Sequence, residues 1–269
     1  MTQSTIRLFW RDVTYSFSYG KYKYLIFFAF MAVLALAESM RIRSFGSNGA
    51  DTFFLLLRDN GYIKILSDYE IPYYWDFTQF FTLFLTADYI FHDFRQNQLY
   101  VLLRCRSKRR YILSKIMWII FQNLLVYLCL LMVIVLVSGS VSGNFSLSSS
   151  SYFHQFIGPM MESQVPEWEL LMRLLIGFII TSVVLSSLML LLIHWLSPII
   201  TFFSVVVLCS LSTFLDSRWL PAIHSMILKT DIFNMEHQLT LGFSLLYCAG
   251  VYVLVNTVTL FMCKRREII

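Results

Sequence analysis

Residues 111–137 read YILSKIMWIIFQNLLVYLCLLMVIVLV, and this stretch decides the fold. A helix crosses roughly 30 Å of hydrocarbon with about 20 mostly apolar residues. Backbone groups inside lipid must be satisfied within the segment, which a helix does. Five other stretches have the same character, at about 22–38, 71–91, 170–192, 198–215 and 239–262. The stretch at 71–91 is the least pure, because it carries Asp76, Gln79 and Asp88. The expectation is an all-α integral membrane protein with six transmembrane helices in a single domain over residues 1–269. Composition agrees: 58% of the residues are hydrophobic and 14% charged, against roughly 45–50% and about 25% in soluble domains. No soluble catalytic domain fits in the remaining length. Ala35-Leu36-Ala37 are read as small residues at a helix end, not as a signal cleavage site.

Orientation follows from the placement of Lys and Arg. With the N-terminus in the cytoplasm, the inside segments hold 14 of the 21 basic residues and the outside segments hold 7. Both termini are therefore expected inside, as an even number of spans requires. The outside loops are then about 39–70, 138–169 and 216–238. The middle one contains SGSVSGNFSLSSSS, read as a flexible polar tract. The connection from His194 to Ser197 makes a tight hairpin that ends at Pro198, a residue suited to a first helical turn.

Two cytoplasmic segments stand out. Ahead of the first span, Ile6, Phe9, Trp10, Val13 and Phe17 recur at spacings of three and four, which predicts an interfacial amphipathic helix over residues 1–20. Arg7, Arg11, Asp12 and Thr14 are expected off its apolar face. The loop after the second span, from Asp93, Phe94 and Arg95 through Gln98, Leu99, Leu102 and Arg104, has no Gly or Pro. It reads as a short structured helix. The basic cluster Arg106, Lys108, Arg109 and Arg110 follows. It serves either topology and anionic lipid or docking of a cytoplasmic partner. Glu169 and Arg173, four apart, are expected to pair.

Several chemistries find no residues. There is no G-x-x-x-x-G-K-[ST] loop for nucleotide phosphates, no H-E-x-x-H and no G-x-S-x-G. The five histidines and five cysteines show no ligand spacing. The chain is thus not expected to be an enzyme, to hold a metal or to bind nucleic acid.

Taken together, the layout resembles the permease subunits of bacterial ABC transporters of the ABC-2 type. The parallels are the amphipathic stretch Ile6–Phe17, the loop Asp93–Leu103 with its basic lead Arg104-Cys105-Arg106-Ser107-Lys108-Arg109-Arg110-Tyr111, the short turn at His194, and the last outer loop from Trp219-Leu220-Pro221 to Met235. The resemblance implies a multi-pass protein of a bacterial cell membrane. It implies a separate ATP-binding cassette ATPase docking on Asp93–Leu103 and the His194 turn, with ATP acting only through that partner. A second copy or a related permease would complete an export path for a peptide, an antimicrobial or a lipid-linked molecule. The first two outer loops are longer than in the simplest members. The competing readings are an ion-coupled secondary transporter, which would show internal repeats and midplane charges, and a non-transporting signalling or assembly subunit.

Overall fold

The computed structural model describes residues 3–62, 71–97, 100, 101, 103, 107–147, 150–235 and 238–265. Among these, every regular element is helical. The principal helices are α1 (Gln3–Ile42), α2 (Gly49–Leu57), α3 (Tyr73–His92), α4 (Lys108–Ser142), α5 (Glu167–Leu192), α6 (Pro198–Phe214) and α7 (Leu241–Arg265). All but α2 are long, and successive long helices run in opposite directions. Of the long helices α5 is the most enclosed, and it packs on α3, α4, α6 and α7.

Four helical segments are long and apolar enough to cross a membrane: Thr5–Phe45, Lys108–Ser142, Glu167–Leu192 and Leu241–Met262. α6 is apolar but has 17 residues. α3 has 20 residues, and its Asp76, Gln79 and Asp88 dilute its apolar character. The helix limits follow local chemistry. Pro198 opens α6 behind Ser197, whose hydroxyl accepts from the Ile200 N–H at 3.5 Å. α4 stops at Gly143, whose φ of 74° suits a residue without Cβ.

Three features differ from the sequence reading. First, the expected interfacial helix is no separate element. Residues 3–42 form one helix, about 60 Å long at 1.5 Å per residue. Its buried side includes Thr5, Asp12, Val13, Ser16, Tyr24, Phe27, Met31 and Ala35. Counting only apolar residues missed this side, because its first turns are built from small or polar groups. Asp12, expected off the apolar face, is fully buried. Ile6 and Trp10 are exposed, Val13 is buried, and Phe9 meets Phe121 edge to face at 5.7 Å. Phe17 packs on Tyr24 at 5.2 Å.

Second, the 39–70 connection contains α2, all nine residues of which are buried against the long helices. Its N-terminus is closed by a capping box between Asn48 and Asp51. Third, the Ser/Gly tract is not wholly irregular. α4 extends through its first five residues, and Ser138 donates to the Asn48 carbonyl at 3.2 Å. The 216–238 connection does fold into short turns of helix, Pro221–Ser225 and Ile227–Lys229. The first of these lies so close on α5 that a Cβ at Gly177 would sit 2.7 Å from the His224 carbonyl oxygen.

Candidate functional site: a buried ionic hub

At one end of the bundle, the start of α1, the end of α3 and the start of α4 meet around four charges. Asp12 comes from α1, Asp93 from the π-type turn Asp93–Asn97 that continues α3, and Lys115 from the second turn of α4. The Lys115 ammonium lies 3.0 Å from Asp12 and 2.6 Å from Asp93. Arg11 pairs with Asp12 and reaches Asp93 at 3.4 Å. Asp12, Asp93 and Lys115 are fully buried, while Arg11 is about one-third exposed.

Two negative and two positive charges balance there, and the remaining lone pairs are used. Tyr89 donates to Asp12 at 2.9 Å, Ser114 also donates to Asp12, and Tyr111 donates to Asp93 at 2.6 Å. Lys115 donates to the Tyr89 oxygen at 3.0 Å and lies over the Tyr89 ring. Behind the charges is a second apolar cluster, with Tyr89 and Trp118 rings 4.3 Å apart beside Ile112, Ile119 and Leu190. Burial alone pushes the Asp93 carboxyl up. Lys115, the Tyr111 hydrogen bond and Arg11 outweigh that and hold it below the usual carboxylate range.

The hub changes the part played by Asp93. A residue expected to face a partner is instead turned inward, because two cations and a phenol satisfy a carboxylate that would otherwise be costly to bury. Arg95 is exposed. Phe94 packs edge to face on His194 at 5.8 Å and, with its ring tilted, on Tyr111 at 5.7 Å. The two segments expected to share a partner, the loop and the His194 turn, are therefore in contact. His194 is held by its Nδ1, 2.9 Å from the Leu190 carbonyl oxygen.

Beyond the π-type turn, residues 100, 101 and 103 are helical, and Tyr100 and Leu103 are 72% and 75% exposed. Arg109 and Arg110 are exposed and Lys108 is half-buried. Gln98, Leu99, Leu102, Arg104 and Arg106 lie outside the described residues. The α3–α4 connection thus presents aromatic, aliphatic and basic groups outward from a base fixed by ion pairs. Among the described residues no three His, Cys, Asp or Glu side chains are grouped to hold a metal.

Sequence reasoning missed the hub because its members are 81 and 22 residues apart along the chain, from Asp12 to Asp93 and from Asp93 to Lys115. One signal could have found it. Lys115 lies within an apolar span, and an ionisable group there needs a partner.

At the opposite end, ties between connections dominate. Arg173 pairs with Glu169 at 2.8 Å, as its spacing predicts, and also with Asp231 at 3.2 Å. Fully buried Lys229 reaches Asp216 at 2.5 Å. Asp59 accepts from the N–H groups of Gly61 at 2.6 Å and Leu228 at 3.0 Å. Burial pushes the Asp59 carboxyl up to about 6, despite those bonds and Lys229. Burial likewise pushes His224 down to about 4. Compared with protein-family models, with curated proteins and with solved structures, the chain finds no match.

Proposed function

We propose that the six long helices cross a bacterial cell membrane with both termini in the cytoplasm, and that the chain is the membrane subunit of an ATP-driven exporter of the ABC-2 type. A separate ATPase binds and hydrolyses ATP. It docks on the outward face of the α3–α4 connection and on the adjoining His194 turn. A second copy, or a related permease, completes the path for a peptide, an antimicrobial or a lipid-linked substrate.

The observation that carries this reading is the ionic hub beneath the docking loop. A loop that receives a push must be stiffly joined to the helices it moves, since a conformational change requires contacts that differ between its states. Asp93 joins the loop to α4 through Lys115 and to α1 through Arg11. The Phe94–His194 contact ties the same loop to the turn between α5 and α6.

Purification in mild detergent tests the partner: an ATP-binding protein is expected to accompany the chain. Replacing Arg95, Arg109 and Arg110 together by Ala is expected to abolish stimulation of its ATPase while membrane insertion and thermal stability stay unchanged. Absence of any ATP-binding partner, or stimulation undiminished in the triple variant, overturns the reading.

A further inference from the structure

A second pair of buried carboxylates, at the end opposite the hub, has no cation paired with it among the described residues. Asp51 lies in the first turn of α2 and Glu167 opens α5; they are 0% and 3% exposed. Neither forms an ion pair among the described residues. Asn48 and Ser150 bridge them instead. The Asn48 side-chain amide donates to Glu167 Oε1 at 2.6 Å, and its backbone N–H donates to Asp51 Oδ2 at 3.0 Å. The Ser150 N–H donates to Glu167 Oε2 at 2.9 Å, and its hydroxyl donates to Asp51 Oδ2 at 2.6 Å.

Three of the four carboxylate oxygens are thus supplied with donors. The fourth, Asp51 Oδ1, is buried and has no hydrogen-bond partner among the described residues. Both side chains line a small cavity of about 10 Å³ walled by Phe54, Phe153, Ile157 and Leu170. That volume holds one water at most. Two uncompensated negative charges sharing one dry site cannot both persist.

We propose that Asp51 carries a proton on Oδ1 beside an ionised Glu167, and that loss of this proton weakens the docking of α2 against α5. The assignment within the pair follows from the donors. Glu167 accepts a hydrogen bond at each oxygen, whereas Asp51 has one oxygen free to bear hydrogen. Burial pushes the Asp51 carboxyl up from its ordinary value and pushes Glu167 up as well, to about 7, so the pair retains a proton and its place on Asp51 rests on the hydrogen-bond geometry.

The N-terminal dipole of α2 favours an ionised Asp51; desolvation and the Glu167 charge oppose it. Among the described residues, the ionisable groups on the other packed elements at this end form no ion pair with the two carboxylates. Glu38 and Arg41 of α1 pair with each other at 2.7 Å, and Glu169 of α5 is held by Arg173. α3 brings Asp76, and the connection before α5 brings Tyr152. Tyr152 feels Arg58 and Arg41 as well as Asp51. Along α4, the nearest contact to α2 is the neutral Ser138.

The sign is fixed by the raised value. Stability from this group is complete below the unfolded carboxyl value, about 3.9, and is lost as pH rises through the folded one. The full chain in detergent micelles is examined by infrared spectroscopy at neutral pH. A protonated-carboxyl band present in the wild type and missing from Asp51→Asn is expected. An unchanged band overturns the proposal. Thermal midpoints are compared in an Asp59→Asn background, which removes one other carboxyl that burial raises at this end. Raising the pH is expected to lower the midpoint, and Asp51→Asn to flatten that fall.

If Asp51→Asn does not fold, Glu167→Gln keeps the test open. Removing the neighbouring charge is expected to move the titration of the same band to lower pH, and no movement overturns the proposal. A rise in midpoint with sodium or calcium chloride at fixed pH, abolished by Asp51→Asn, also overturns it and makes the pair a cation site.

Discussion

At the hub end, two buried carboxylates, Asp12 and Asp93, meet two cations, Lys115 and Arg11. At the opposite end, the hydrogen bonds of Asp51 and Glu167 across the pair come, among the described residues, from Asn48 and Ser150. The first arrangement joins three helices through charges that offset one another. The second joins α2, a connection and α5 through neutral donors. A buried pair of opposite charges resists change in proton concentration, because each partner favours the other's ionised form. A buried pair of like charges responds to it. One end is therefore built to hold its geometry and the other to be sensitive to its surroundings.

The largest effect is expected from breaking the hub. Lys115→Met leaves Asp12 and Asp93 buried with only Arg11 between them, at a cost of about 3–5 kcal/mol. Unfolding of the detergent-solubilised chain measures it. A cost near zero would show that the ends differ little in what their charges contribute. Next comes Asp59, whose carboxyl is raised to about 6. A folded value above the unfolded one means that stability is full below about pH 4 and falls as pH rises through 6. The loss is on the order of 2–3 kcal/mol. Asp59→Asn should reduce this fall by the Asp59 share, and a wild-type profile flat from pH 5 to 7 would contradict it.

Gly177→Ala tests the packing of the 216–238 connection on α5. The new Cβ would meet the His224 carbonyl oxygen, a backbone atom, at 2.7 Å, so overpacking is expected to cost about 1–3 kcal/mol. The smallest effect belongs to Arg173→Ala. Its pairs with Glu169 and Asp231 are partly solvated, and about 1 kcal/mol or less is expected. Added salt should shrink that difference while leaving the cost of Lys115→Met unchanged.

Much of the helical framework was legible because long apolar runs admit few other structures. The run read at 111–137 is the heart of Lys108–Ser142, and Pro198 marked the start of α6. α2 escaped notice because GADTFFLLL is nine residues long. An apolar run of that length fits a strand, a core helix or a loop anchor, and periodicity does not separate them. The interfacial stripe was legible only in part. Phe9, Val13 and Phe17 do lie toward the protein, but the same side continues through Thr5, Asp12 and Ser16, which an apolar count discards. Asp93, expected on the partner-facing loop, is turned inward. Its orientation depends on Arg11 and Lys115, and no local pattern shows that three distant segments converge. The Asp51–Glu167 pair was invisible for the same reason.

α1 is a single unbroken rod that touches both ends. Asp12 sits in the hub, and Ser39, 27 residues further on, lies 3.2 Å from Thr52 of α2. At 1.5 Å per residue the two points are about 40 Å apart. A hydrogen-bonded helix barely compresses along its axis, so a displacement of Asp12 along that axis would arrive at Ser39 with little backlash. Under the proposed function, the seat of α2 would ride on the same shaft as the anchor of the α3–α4 connection, with no relay between them.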